Sequence, residues 1–135
     1  MGSHQLKFGP GADVIFTSYF CSKPNPQAPT FDGRTHAPLN EIGYIFPWYV
    51  STKYHRLNAV VFHDGLSESF IDRYQHEHLQ FIYHAPDLFS LNDERFFALQ
   101  NILDANRLGR VLLTDGADVL IKKNPFEFMR DPDLL

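Results

Sequence analysis

Two carboxylates, Asp115 and Asp118, stand in the run Val111-Leu112-Leu113-Thr114-Asp115-Gly116-Ala117-Asp118-Val119-Leu120-Ile121, at a turn between two apolar stretches. Oxygen ligands placed this way suit a hard divalent cation, Mg2+ or Mn2+, which keeps several waters and bridges substrate phosphates. Gly116 and Ala117 leave room for a diphosphate to reach the backbone. The competing reading is a plain turn in which Asp side chains cap backbone amides. Position favours the metal: residues 110–114 are β-rich, too short for a globular helix and halted by a Gly-containing turn, so they read as a buried strand. Asp115 then falls at the carboxyl end of that strand, where open α/β sheets bind their ligands.

Other side chains could join it. Arg95 sits in the first turn of an expected helix and could clamp a phosphate or carboxylate, or form a salt bridge with Asp64, Asp93 or an Asp of the turn. Asp64, beside Gly65, could accept a hydrogen bond from a base or ribose, or serve as a turn aspartate. The seven histidines form no zinc signature, because His76-x-His78 straddles a helix-to-strand junction without a second pair nearby. Structural or surface roles are expected of them. Cys21 has no charged neighbour in sequence and reads as a buried, inert thiol. Trp48, with Tyr44, Phe46 and Tyr49, reads as core, although one ring could stack on a base. No Gly-x-Ser-x-Gly elbow, Walker-type loop or Gly-x-Gly-x-x-Gly fingerprint is present, which removes the usual support for acyl transfer, P-loop hydrolysis and hydride transfer.

The elements that must position these groups alternate in type. Residues 14–20, 58–64, 79–84 and 110–114 are rich in β-branched and aromatic residues and read as strands, with a further short strand at 119–122. Residues 22–38 carry four prolines and read as a long loop. The apolar spacing of Ile42, Ile45, Phe46, Tyr49 and Val50 predicts a helix over 39–55 with Asn40 as N-cap, kinked or divided at Pro47. A short helix is expected over 67–76, capped by Ser67. The clearest helix spans 92–107, capped by Asn92, with Phe96, Leu99, Ile102 and Leu103 on one face and Gly109 closing it. Strands alternating with helices imply right-handed crossovers and a mostly parallel sheet covered on both faces. Three polar clusters then share one sheet edge: Thr17-Ser18-Tyr19, His63-Asp64-Gly65 and the turn at 115–118. Their convergence is the bottom-up case for a ligand site.

The chain has 135 residues, 44% of them hydrophobic, and a net charge of −4. That is one domain at most, with enough apolar surface for a core. With no basic run, duplex nucleic acid and anionic membranes are not expected partners. No stretch approaches a membrane span or a signal-peptide h-region, and one cysteine allows no internal disulfide, so a soluble, cytoplasmic protein is expected. Met1-Gly2-Ser3-His4 reads as a tag remnant, which makes residues 1–11 tag and leader and 12–135 the functional part. Residues 130–135 look like an open continuation, and truncation at the C-terminus is expected.

The metal-turn segment, followed by Asn124-Pro125-Phe126 and preceded by Asn92-Asp93-Glu94-Arg95-Phe96 and the helix through 99–103, resembles the metal-binding region of GT-A-fold glycosyltransferases. The resemblance covers most of residues 12–128. It implies a Rossmann-like GT-A three-layer α/β sandwich, incomplete at its C-terminus, that transfers a sugar from a nucleotide-diphosphate donor, usually a UDP-sugar, to a glycan or other hydroxyl acceptor. By position it implies that Thr17, Ser18 and Tyr19 hold the nucleoside, Asp64 the base, and Arg95 the base, ribose or phosphates. Asp115 would contact the ribose or the metal, and Asp118 would coordinate Mn2+ or Mg2+, which stabilises the leaving diphosphate. The family usually carries Asp-x-Asp where this chain has Asp-x-x-Asp, and the acceptor-activating base is left unassigned. The rival classes are a catalytically silent nucleotide-binding domain and a metal-dependent phosphohydrolase with Asp115 as nucleophile.

Overall fold

A computed structural model of the chain describes residues 5–21, 39–85, 91–115 and 119–127. Four strands, β1 (Val14–Tyr19), β2 (Asn58–His63), β3 (Leu79–Tyr83) and β4 (Val111–Leu113), form one sheet in the order β3-β2-β1-β4. Every pairing is parallel, with Val14 opposite both Asn58 and Val111, and Ala59 opposite Leu79. The helices are α1 (Phe46–Tyr54), α2 (Glu68–Tyr74) and α3 (Leu91–Ala105).

Strand side chains alternate between two cores, as the two-residue repeat of a strand requires. Ile15, Tyr19, Ala59, Val61 and Leu79 pack on one face with Trp48 and Tyr49 of α1 and Phe70 of α2. Val14, Phe16, Val60, Phe62 and Ile82 pack on the other with Ala98 and Ile102 of α3. Two helices therefore cover one face and the third covers the other. The fold is a parallel α/β sheet wound in both directions from β1, compatible with a Rossmann-like architecture.

The segment before β1 belongs to this body. Leu6 and Phe8 pack against the α3-side core, Leu6 N–H donates to Asn106 Oδ1 (3.0 Å), and Lys7 N–H donates to Gln80 Oε1 (3.0 Å).

Local expectations are corrected at several points. Residues 39–55 form two pieces, a 3₁₀ turn Ile42–Ile45 and then α1, which starts one residue before Pro47, where a missing N–H costs nothing. Asn40 does not cap: it has a left-handed φ of 57°, its side chain accepts from Ser67 N–H (2.8 Å), and Glu41 precedes the turn. The restart at Pro47 rotates the buried face, so Trp48, Ser51 and Thr52 are buried while Phe46 and Val50 are exposed. In α3, Leu91 is already helical, which puts Asn92 inside the first turn. Its buried stripe is Glu94, Ala98 and Ile102, and Phe96 and Leu103 face solvent. β4 is half-buried and, among the described residues, pairs with β1 alone. Residues 119–122 are not a strand; Ile121 is held by α1 and the residue after it, its N–H donating to Ser51 Oγ (2.9 Å) and its carbonyl meeting His55 Nε2 (3.1 Å).

Ser67 caps α2 as its sequence implies, its hydroxyl accepting from Phe70 N–H (3.2 Å). Ser67→Ala is expected to cost about 1 kcal/mol, read as a fall in Tm of about 4 °C by thermal denaturation. An unchanged Tm would mean that the cap contributes nothing.

Candidate functional site

The chain leaves β1 toward α1 on one face and enters β4 from α3 on the other. The strand order therefore reverses between β1 and β4, and ligands of open α/β sheets bind outside the carboxyl ends of the strands at such a reversal. The residues at this point are Ser18 to Cys21 at the end of β1 and Thr114 and Asp115 after β4.

Thr114 is tied in every direction. Its N–H donates to Phe16 O (2.8 Å), its carbonyl accepts from Thr17 Oγ1 (2.9 Å), and its hydroxyl accepts from Trp48 Nε1 (2.9 Å). A fully buried tryptophan and the neighbouring strand thus fix the residue just before Asp115. The Asp115 carboxylate is held at Oδ1 by Arg95 Nη1, while its side chain stays 70% exposed. Among the described residues Oδ2 accepts no hydrogen bond, which leaves an oxygen for a cation or a ribose hydroxyl.

Arg95 is 21% exposed, lies over the Phe96 ring at 5.1 Å, and has a buried Nε with no hydrogen-bond partner among the described residues. A cation in a first helical turn opposes the helix dipole, and one with 70%-exposed Asp115 as its ion-pair partner gains little stability from the pair. Neither effect explains the placement, and the Nε–H without an acceptor among the described residues is a polar cost borne at this position.

The other expected residues take varied positions. Thr17 is fully buried and its hydroxyl is used on Thr114, so it braces β1 against β4. Tyr19 is also buried on that face, against Tyr44 and Phe70, its hydroxyl exchanging hydrogen bonds with the Glu41 backbone (3.0 and 3.1 Å). Burial raises its phenol pKa well above the ordinary value. Ser18 is half-buried and alternates to the α3 face. Asp64 accepts from Cys21 N–H (2.7 Å), joining the ends of β2 and β1. Burial, and after it Asp64, pushes the Cys21 thiol up to about 12, which makes it inert near neutrality. Asp118 lies outside the described residues, as do Gly116, Ala117 and the proline-rich loop. The structure thus brings together Arg95 and Asp115, with Thr17 and Ser18 on the adjoining strand, and places Asp64 one strand further away.

Trp48 is core, as the sequence implies, but its bond to Thr114, which links residues far apart in the chain, and the His84–Glu94 pair carry no local signal. His84 Nε2 lies 2.8 Å from Glu94 Oε2, and Glu94 is almost fully buried. This pair holds the first turn of α3, and with it Arg95, to the end of β3. Among the described residues no three His, Cys, Asp or Glu side chains converge as a metal site, and no helix is long and apolar enough to cross a membrane.

Comparison with protein-family models, curated proteins and solved structures finds no match to this chain.

Proposed function

We propose that this chain is the donor-binding part of a GT-A-type glycosyltransferase that uses a nucleotide-diphosphate sugar, most simply a UDP-sugar, and a hydroxyl acceptor such as a glycan. One observation carries the reading: an arginine, whose Nε has no hydrogen-bond partner among the described residues, meets an exposed carboxylate at the reversal of strand order. The diphosphate would take the guanidinium, whose planar fork matches phosphate oxygens. Asp115 would serve the ribose or the metal, and Asp118 would complete the set for Mn2+ or Mg2+. A bound metal would supply Lewis-acid stabilisation of the leaving diphosphate. The protein's own part is to hold Asp115 in place through Thr114 and Arg95 through α3. Ser18 borders the nucleoside position, and Asp64 acts on it through Cys21 and the strand ends.

UDP with Mn2+ is expected to stabilise the protein by about 2.7 kcal/mol at a hundredfold excess over Kd, a rise in Tm of about 10 °C. The shift should require the metal, vanish in Asp118→Ala and weaken in Arg95→Ala. Its absence, or indifference to Asp118→Ala, would overturn the donor-site reading. A metal-independent shift would instead indicate a nucleotide-binding domain without transferase chemistry.

A further inference from the structure

At the opposite edge of the sheet, where β2 and β3 begin, Lys53, Arg56, His76, Glu77 and His78 line a surface depression of about 400 Å³. Four of the five side chains are cationic or can become so, and they come from the end of α1 and the start of β3. Glu77, the one carboxylate, is 85% exposed and offsets them weakly.

The imidazole hydrogen bonds set their donors. His76 Nδ1 accepts from His78 N–H (3.2 Å), so the neutral ring carries its proton on Nε2. Asn58 Nδ2 donates to Asp13 O (3.3 Å), which leaves Asn58 Oδ1 to accept from His78 Nδ1 (3.3 Å). Burial, and after it the charges of Lys53, His78 and Lys7, hold the His76 pKa below its ordinary value, with Glu77 alone opposing. Lys7 adds to this field while its ammonium donates to the carbonyls of His76 and Leu79. Tyr49 meets the His76 ring edge-on at 6.0 Å and contributes no charge near neutrality.

Arg56 occupies a left-handed position, φ 53°, just beyond α1, where glycine is the usual residue. An arginine there accepts backbone strain to carry a guanidinium.

We infer that this depression binds a small molecule bearing two or more phosphoryl groups. The Lys53 ammonium and the Arg56 guanidinium supply donors and positive charge, and the His76 Nε2–H supplies a further donor. A single carboxylate has one charge and two oxygens, whereas a diphosphate has oxygens enough for both cations and the imidazole donor. The volume exceeds that of one phosphate and admits two. This site is independent of the proposed donor site, which lies at the carboxyl ends of the strands.

Inorganic pyrophosphate, with EDTA present to remove divalent cations, is the probe, and histidine ring NMR at neutral pH and physiological ionic strength is the readout. Saturable shifts of His76 and His78 are expected, with His63 and His84 unmoved and the His76 titration midpoint raised on binding. Lys53→Ala and Arg56→Gly should each weaken binding about tenfold or more. Arg56→Gly places glycine where the backbone favours it, so that variant stays folded. Arg95→Ala should leave the response intact, which separates this site from the nucleotide edge. Shifts that fail to saturate, that sodium chloride of equal ionic strength reproduces, that include His63 and His84 equally, or that survive both pocket variants would overturn the assignment.

Discussion

Alanine at position 109 is expected to destabilise the fold by about 3 kcal/mol, a fall in Tm of about 10 °C in thermal denaturation. A Cβ on Gly109 would press into Gly11 O and lie 2.7 Å from Asp13 Oδ1. Neither atom can give way freely. Gly11 N–H donates to Arg107 O (2.8 Å), Gly109 N–H donates to Ala12 O (2.8 Å), and Val14 N–H donates to Arg110 O (3.0 Å). Asp13 Oδ1 accepts from Arg110 N–H (2.7 Å), and Oδ2 accepts from the Arg110 guanidinium (2.8 Å). These hydrogen bonds from Arg110 hold the Asp13 carboxyl below its ordinary pKa. Displacing Asp13 would therefore break a fork and shift the start of β4 against β1, the two strands that flank the candidate site. Gly43→Ala is the control, because nothing lies within 4 Å of its Cβ position. Within a helical turn that change should be neutral or stabilising by up to about 1 kcal/mol. Equal Tm values for the two variants would show that the strand ends tolerate separation.

Gly109 also shows where sequence reasoning stops. As a glycine following a helical run it reads as a C-cap, yet α3 ends at Ala105 and Asn106 Nδ2 already satisfies Ile102 O (3.0 Å). The demand on Gly109 comes from Gly11 and Asp13, almost a hundred residues earlier, and no local pattern carries it. The strands were legible because runs such as Val14-Ile15-Phe16 and Ala59-Val60-Val61-Phe62 are apolar on both faces, as a sheet sandwiched between helices requires. The α3 face was misread because its buried stripe, Glu94, Ala98 and Ile102, contains a carboxylate and a small residue, while the bulkier Phe96 and Leu103 lie in solvent. At the site, the chain pattern put Asp115 at a strand end and Arg95 in a first helical turn, but left open which aspartate Arg95 would meet. Only the crossover of α3 to the far side of β1 decides for Asp115. Thr17 and Tyr19 were placed at the right edge, whereas which of their faces turned inward depended on α1 packing over Ile15 and Tyr19.

His84→Ala is expected to cost about 2–3 kcal/mol and to weaken nucleotide binding together with stability. Removing one partner of a buried hydrogen-bonded pair leaves the other unsatisfied, at about 1–3 kcal/mol and more where that group is charged. Glu94 is 1% exposed, which puts the cost in the upper part of that range, and its further contacts keep it from rising beyond. The two contributions can be separated by a double-mutant cycle with Glu94→Gln, whose side chain fits the same space without a charge. His84→Ala should then cost less in the Glu94→Gln background than in the native one, by about 1 kcal/mol or more. Equal costs in both backgrounds would mean that the imidazole acts only by packing on Phe20, whose ring centroid lies 5.9 Å away. The effect on binding follows from adjacency. Arg95 is the next residue in the same turn, and its guanidinium reaches Asp115 only while that turn stays against the end of β3, where His84 N–H donates to His63 O (2.8 Å). Measured at a temperature where the variant remains folded, its Kd for UDP with Mn2+ should rise. An unchanged Kd there would show that Asp115 and Phe96 alone keep Arg95 in place, and that the buried pair serves stability only.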